Sequence, residues 1–183
     1  MDIFSALGLS ASAGLNAYIP LLIVALVARF TNLIQLSSPW DALTNGWVIT
    51  LLAVLSLIEF FADKAPVVNH LNDAIQTFIR PAAGAIVFAS SAHVITEIHP
   101  VLSLAAGLLV AGSVHAVKSI AVRPAVTAAT AGAGNTPVSI LEDILSFILS
   151  ILSVLLPVLI AMLVILLVGW LLWRGLRRAT SAY

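Results

Sequence analysis

The feature that most constrains this chain is a stretch near its C-terminal end without a charged side chain. It runs from Asp143 to Arg174, about 30 residues, which as a helix would extend roughly 45 Å. The hydrocarbon core of a bilayer is only about 30 Å thick. We therefore predict a membrane-spanning helix that tilts, or bends at Pro157, to fit. An aromatic and basic collar would mark one interface: Trp170, Trp173, Arg174, Arg177 and Arg178.

The composition extends this expectation to the whole chain. Hydrophobic residues make up 61% of the 183 residues, charged residues make up 9%, and the mean hydropathy is +1.14. Soluble domains carry about 25% charged residues, so a soluble protein could not cover itself with so few. The net charge is zero and there is no cysteine. The sequence therefore offers no basic surface for nucleic acid and no thiol for disulfides, catalysis or metal binding.

Four more apolar runs approach the length of a membrane span. They cover residues 3–28, 46–62, 81–98 and 101–117. Each run is continuously apolar rather than alternating, which indicates helices and not barrel strands. We predict an all-α polytopic transmembrane helix bundle with about five spans, forming a single integral membrane domain of residues 1–183 whose main partner is the lipid bilayer.

Two segments are not predicted to be simple spans. Residues 66–80 combine apolar positions at helical spacing with a polar opposite face, which predicts an interfacial or re-entrant helix. Residues 123–137 are small throughout and have too little apolar bulk to face lipid. We predict that they form a second re-entrant segment, which packs against protein or lines a cavity.

The sequence also contains two segments that resemble each other. Pro66 and the following Leu-Asn-Asp resemble Pro137 and the following Leu-Glu-Asp at an offset of about 70 residues, and each copy follows one apolar run and precedes another. The pattern is compatible with repeat units at 46–98 and 101–173 and equally with chance similarity in an apolar chain. Duplicated units with interrupted helices are typical of transporters, although a passive scaffold is compatible with them.

Several motifs resemble those of one known family. They are residues 11–20 around Asn16, the Glu-Phe-Phe-Ala-Asp-Lys block at 59–64 with Pro66, the Arg-Pro-Ala-Ala-Gly segment at 80–84, and Gly134-Asn135-Thr136-Pro137 with Glu142 and Asp143. The chain resembles a family of small bacterial polytopic membrane proteins catalogued as a domain of unknown function. The resemblance covers nearly the whole chain. It implies a multipass protein of the bacterial inner membrane, and it transfers no catalytic role.

Two asparagines are the first candidates for a substrate or ion pathway. Asn16 lies in the middle of the first run, and Pro20 removes the helical hydrogen bond to its carbonyl. Asn135 follows a glycine-rich stretch just before a predicted helix start at Pro137. We predict that the two polar stretches meet within the membrane. The alternative is plain interhelical hydrogen bonding.

Two sets of ionisable residues supply further pathway candidates. Ionisable side chains within a bilayer are costly, so their presence there indicates a function. Glu59 and Asp63 are four residues apart on one helix face and could bind a cation or relay protons; alternatively Asp63 marks the interface and Glu59 pairs with an arginine of another helix. His115, Lys118 and Arg123 could form a pocket for an anion or a lipid headgroup, or an interfacial cluster of snorkelling side chains.

The remaining ionisable residues receive simpler interpretations. His93 and Glu97 are four apart, but a metal site would need more ligands, so a histidine–carboxylate hydrogen bond is preferred. Glu142 and Asp143 fall near the start of the last helix, where negative charge suits the helix dipole. We predict no metal site, no catalytic residue and no cofactor.

The sequence therefore favours a small transporter or channel-like protein for an ion, small solute or lipid. The alternative is a structural or assembly subunit that binds partner membrane proteins or a second copy of itself. A third hypothesis, an intramembrane enzyme using Glu59, Asp63, His93 or Glu97, ranks below both.

Overall fold

The structure is a computed structural model that describes residues 3–64, 66–92 and 99–180. The described chain is all-α. Its helices are α1 (Ile3–Leu15), α2 (Tyr18–Phe30), α3 (Gly46–Ala62), α4 (Pro66–Ala92), α5 (Pro100–Ala116), α6 (Arg123–Thr130) and α7 (Asn135–Thr180), with a 3₁₀ turn at Trp40–Thr44 and a π-helical turn at Val117–Val122. His99 caps α5, since its Nδ1 accepts a hydrogen bond from the Val101 amide.

The first apolar run is not one span but two helices of 13 residues each, α1 and α2. The break falls at Asn16 and Ala17. The early residue Ala6 packs against Phe88, and the loop that follows α2 shares a cavity with Ala89 at the same end of α4. The two helices therefore fold back as a hairpin whose tip is Asn16. Each arm is about 20 Å long, too short to cross a hydrocarbon core of about 30 Å.

The other helices run alternately towards the hairpin tip and away from it. The helices α3 and α5 approach the tip, whereas α4 and the first half of α7 lead away from it. The opposite end of the bundle holds the loop at Ser38–Trp40, next to the start of α5 at Pro100. Charged side chains from distant parts of the sequence meet at the level of the tip.

Small residues let these helices approach closely. The Ser10 hydroxyl lies 2.9 Å from the carbonyl oxygens of both Gly84 and Gly107, which share its one proton. A side chain on either glycine would collide with the neighbouring helix. On the other side of α1, Ser12 bonds to Ser146 and Ser150 of α7. This packing of small and hydroxyl residues is the kind that holds helices together in lipid.

The segment 66–80 is not a separate interfacial helix, contrary to the sequence prediction. It is continuous with residues 81–92 in α4, with Pro81 inside the helix. Its polar residues Gln76 and Arg80 are buried, whereas Ile75 is 49% exposed and Phe78 is 80% exposed. Gln76 and Arg80 therefore point into the bundle, where Glu59 and Asp63 are the partners of Arg80.

The segment 123–137 is not a single helix. It comprises α6, a four-residue turn and the beginning of α7, and its first part continues α5 through the π-helical turn. Most of the α6 side chains are exposed, so the prediction that they pack against protein or line a cavity is wrong for this chain by itself. The turn contains Ala131 and Gly132 with positive φ of 50° and 89°, which ends the helix.

Two stretches are long and apolar enough to cross a membrane. They are Pro100–Thr130 with 31 residues and Asn135–Pro157 with 23 residues, while α1, α2 and α3 are shorter apolar helices. The last helix remains helical through Pro157 up to Thr180. By length and composition, two stretches could therefore cross a membrane. The five spans and the repeat units at 46–98 and 101–173 stay predictions.

Candidate functional site

A group of eight charged side chains gathers at the tip of the α1–α2 hairpin, and we call it the charge cluster. Its four acids and four bases come from α3, α4, the π-helical turn, α6 and α7 and the residues next to them: Glu59, Asp63, Glu142, Asp143, Lys64, Arg80, Lys118 and Arg123. The formal charges cancel. All of these residues except Lys64 are buried, with Arg80 0% and Glu59 1% exposed.

Asp63 is the centre of the charge cluster. It follows the last residue of α3, and its Oδ2 lies 3.3 Å from Arg80 Nη2 and 3.7 Å from both Lys118 Nζ and Arg123 Nη2. The Ser139 hydroxyl donates to the same oxygen at 3.4 Å, and the Asn72 amide donates to Oδ1. One carboxylate therefore links α3 to α4, to the α5–α6 segment and to α7.

Arg80 makes the most deeply buried pair of the charge cluster. Its Nε and Nη2 donate to Glu59 Oε1 at 3.2 and 2.9 Å. Its Nη1 lies 3.2 Å from His115 Nδ1, and because a guanidinium can only donate, that nitrogen must accept. His115 is then neutral, with its proton on Nε2 facing the Thr77 hydroxyl at 3.2 Å.

The π-helical turn explains how Lys118 and Arg123 point the same way. An α-helix places residues five apart on different faces, but a π-helix bonds residue i to i+5, and here the Arg123 amide donates to the Lys118 carbonyl. Both cations consequently reach Glu142 Oε2, Lys118 Nζ at 3.0 Å and Arg123 Nη2 at 2.7 Å. Glu142 lies two turns into α7, so its partners are these cations rather than the helix dipole.

Asn16 connects the hairpin tip to the charge cluster. Its amide nitrogen donates to Asp143 Oδ1 at 2.9 Å, and the other oxygen of Asp143 pairs with Lys64 at 2.8 Å. Its amide oxygen accepts from the backbone amides of Tyr18 and Ile19, which caps the N-terminus of α2. Each polar atom of the Asn16 side chain therefore has a partner.

The C-terminal end of α1 also has a partner in the charge cluster. Lys118 Nζ donates to the Leu15 carbonyl at 3.1 Å, one of the carbonyls that a helix end leaves without an intrahelical partner. The negative end of the helix dipole thus receives a cation. At the break, the ammonium of Lys118 contacts the C-terminal end of α1. Asn16, which is held by Asp143, caps the N-terminal end of α2.

Several buried polar atoms around the charge cluster have no hydrogen-bond partner among the described residues. They include Glu59 Oε2, Gln76 Oε1, and Nε and Nη1 of Arg123. Buried polar atoms are rarely left unpaired in folded proteins, so each such atom calls for an explanation. The oxygen atoms among them could accept, and the Arg123 nitrogen atoms could donate, further hydrogen bonds.

The chain was compared with known proteins. A family model described as a domain of unknown function, DUF4126, matches residues 3–178. The chain belongs to this DUF4126 family. No curated protein and no solved structure matches the chain. The resemblance to a family catalogued as a domain of unknown function is thus confirmed.

Residues of the motifs that carried the DUF4126 resemblance, except for the segment 134–137, meet at one site in the fold. The block at 59–64 supplies Glu59, Asp63 and Lys64, and the segments at 11–20 and 80–84 supply Asn16 and Arg80. Glu142 and Asp143, which the sequence analysis assigned to the helix dipole, belong to the same site. The repeated Leu-x-Asp pattern after a proline was the signal that could have included them.

Asn135 is the predicted site residue that lies elsewhere. Its side chain exchanges hydrogen bonds with the Thr127 hydroxyl at 2.9 and 3.2 Å across the turn between α6 and α7. Eight residues separate it from Asp143, about 12 Å along the helix. The structure does not bring Asn135 to Asn16, so the predicted meeting of the two asparagine stretches is wrong.

The other sequence candidates are now placed. Glu59, Asp63, His115, Lys118 and Arg123 meet in or beside the charge cluster. The interpretation of Glu59 as the partner of an arginine on another helix is confirmed. His93 and Glu97 lie outside the described residues. Within the described part of the chain, no three histidine or carboxylate residues are grouped to hold a metal ion.

Proposed function

We propose that the chain is a multipass protein of the bacterial inner membrane and acts as a small transporter or channel-like protein for an ion, small solute or lipid. The observation that carries this proposal is the position of the charge cluster at the tip of a broken helical hairpin. Interrupted helices whose ends meet polar groups inside the membrane form the binding sites of many transporters.

The distribution of polarity supports a membrane location. Large apolar side chains are exposed along α3, α5 and α7, while Arg80, Glu59 and Asp63 are buried. Exposed apolar surface on this scale would cause aggregation in water. In lipid the same surface is the favourable one, and the two longest apolar stretches have the length that a bilayer requires.

The energetics of the charge cluster support a role beyond packing. Removing an ion from water costs several kcal/mol, and a buried ion pair often recovers no more than that cost. Small and hydroxyl residues already hold α1 against α4, α5 and α7. Charged residues inside a membrane usually mark ion pathways or proton relays, and the unpaired oxygen of Glu59 could take up a proton or a cation.

The second candidate is a structural or assembly subunit. It is favoured by the balanced charges, since four acids and four bases that pair with one another can hold the helices in one fixed arrangement. The exposed, small side chains of α6 would then contact a partner protein or a second copy. Purification from native membranes would distinguish this candidate by a stoichiometric partner.

Ion flux through proteoliposomes tests the proposal. The wild-type protein is expected to conduct or exchange at least one of H⁺, Na⁺, K⁺ or Cl⁻ above the rate of protein-free vesicles. Glu59→Gln should reduce that flux roughly tenfold or more, because it removes an ionisable group while it retains the hydrogen bond from Arg80. The matched control is Asp41→Asn, an exposed carboxylate that should have no effect. Folded protein without flux for any of the four ions, or equal flux in Glu59→Gln, would contradict an ion pathway at the charge cluster.

A further inference from the structure

Glu59 uses only one of its two carboxylate oxygens for hydrogen bonds within the described residues. Its Oε1 accepts from Arg80 Nε and Nη2 at 3.2 and 2.9 Å. Its Oε2 is buried and has no partner there, and the whole residue is 1% exposed. A buried carboxylate oxygen without a donor costs free energy, so this atom calls for a hydrogen-bond donor.

The other acids of the charge cluster are held more fully. Both oxygens of Asp63 and both oxygens of Asp143 accept hydrogen bonds from neighbouring side chains. Glu142 Oε2 contacts two cations. Among these four acids, all of them described residues, Glu59 is the one with a buried and unpaired oxygen.

A second unpaired oxygen lies on the face of α4 that holds Glu59. Gln76 precedes Arg80 by four residues, so their side chains share one face of the helix. Gln76 is 2% exposed, and its Oε1 has no hydrogen-bond partner within the described chain. Both unpaired oxygens are acceptors, so an occupant of this part of the bundle must donate to them. This requirement excludes an anion.

A proton fits this arrangement better than a metal cation. Hard metal cations are held by several oxygen ligands at once, about six to eight for Ca²⁺, whereas Glu59 and Gln76 offer one unpaired oxygen each. The guanidinium of Arg80 would also repel a second full charge at short range. A proton on Oε2 needs no further ligand, and it leaves both Arg80 hydrogen bonds in place because Oε1 remains an acceptor.

Arg80 keeps a counterion when Glu59 takes up a proton, because its Nη2 also lies 3.3 Å from Asp63 Oδ2. Around Glu59, the charges of Arg80 and Lys118 favour the ionised form. Burial and the charge of Asp63 favour the protonated form. Tyr18 of α2 is a further titratable group within electrostatic reach. The surroundings therefore accommodate both protonation states without leaving Arg80 unpaired.

We propose that the ion handled at the charge cluster is H⁺ and that Glu59 Oε2 is the atom that binds it. The carboxylate takes the proton from a hydronium ion, which leaves as water, and the reverse step returns the proton to water; no electron is transferred. The identity of a transported ion rests on the proposed function, whereas proton binding at Glu59 can be measured without transport.

Infrared difference spectra of the full-length protein in lipid membranes, recorded between alkaline and acidic buffer, test the binding of the proton. A protonated carboxyl group has a C=O stretch separate from the carboxylate bands, and its frequency is higher in apolar surroundings than in water. The wild type is expected to gain such a high-frequency band on acidification. Glu59→Gln should lose the band, and Glu59→Asp, which retains a carboxyl group, should shift it. The matched control Asp41→Asn changes an exposed carboxylate and should leave the band unchanged.

The amide bands of the same spectra report whether each variant is still helical. If Glu59→Gln is not, the shift in Glu59→Asp decides the assignment. A wild type that gains no such band at any pH, because Glu59 stays ionised, would overturn the inference. A band that is unchanged in a helical Glu59→Gln or in Glu59→Asp would overturn it as well.

Ion flux through proteoliposomes separates this inference from the proposed function. The wild type should carry H⁺ above the rate of protein-free vesicles. A Glu59 band without flux of any ion would support the proton site and contradict transport. Flux of Na⁺, K⁺ or Cl⁻ without flux of H⁺ would support transport and overturn the inference.

Discussion

Replacing Asp63 with alanine is expected to lower the thermal unfolding midpoint of the purified protein by roughly 10 °C or more. Asp63 is 3% exposed and faces Arg80, Lys118 and Arg123. Removing one partner from a buried ion pair costs about 3–5 kcal/mol, because the remaining charge stays buried without compensation. In this variant three cations lose one shared carboxylate, so the decrease in the free energy of unfolding should lie at the upper end of that range.

The matched control is Asp41→Ala, which removes an exposed carboxylate from the 3₁₀ turn between α2 and α3. Its midpoint should stay within about 2 °C of the wild type, because exposed charges contribute little. Circular dichroism at low temperature checks that the Asp63→Ala protein is still helical. Equal midpoints for the two variants would show that Asp63 does not hold the charge cluster together.

The second large effect is expected for Arg80→Met, together with its rescue. This change removes the donors to Glu59 Oε1 and leaves a carboxylate buried, again at about 3–5 kcal/mol. A second change, Glu59→Leu, removes that stranded charge. Replacing both members of a buried ion pair with apolar residues of similar volume is often neutral, so the double variant should regain at least half of the lost stability.

Unfolding midpoints of the four proteins, wild type, the two single variants and the double variant, form the required thermodynamic cycle. Glu59→Leu alone should cost less than Arg80→Met, because Arg80 still pairs with Asp63 at 3.3 Å. If the two single effects simply add in the double variant, Arg80 and Glu59 do not stabilise each other and the pair has no energetic coupling.

Much of the fold follows from local patterns in the sequence. The continuous apolar runs gave the positions of α3, α5 and α7, since a helix is the only open-chain structure that satisfies its own backbone in lipid. The helical spacing in residues 66–80 identified a helix with a polar face. The direction of that face could not be predicted, because it depends on charges carried by other helices.

The hairpin and the charge cluster were harder to predict, for different reasons. Asn16 and Pro20 lie close together in an apolar run, which indicates an interruption of the helix. Whether the chain only bends there or reverses its direction depends on which groups cap α2. Lys118 and Arg123 are spaced for different faces of an α-helix, and only the π-helical turn brings them to Glu142. Asn135, like Asn16, is an asparagine that follows a glycine and other small residues, so the two gave the same local signal. Their positions differ because α6 ends before Asn135, which therefore lies across the α6–α7 turn from Thr127.

Water access to the charge cluster distinguishes a working site from a structural one. The chain has no cysteine, so Ser139→Cys places a single thiol next to Asp63 Oδ2, which now accepts from the Ser139 hydroxyl. Ser10→Cys places one at an equally buried position between α1, α4 and α5, and Asp41→Cys places one on the surface. The reagent is a membrane-impermeant methanethiosulfonate, added to sealed vesicles.

A working site in an aqueous pathway must open to water for part of the time, even if the open state is a minor one. Ser139→Cys is expected to react roughly tenfold or more faster than Ser10→Cys, though slower than Asp41→Cys. Reaction at Ser139→Cys that is as slow as at Ser10→Cys, while Asp41→Cys is labelled, would contradict the account and would show the charge cluster to be a sealed structural lock.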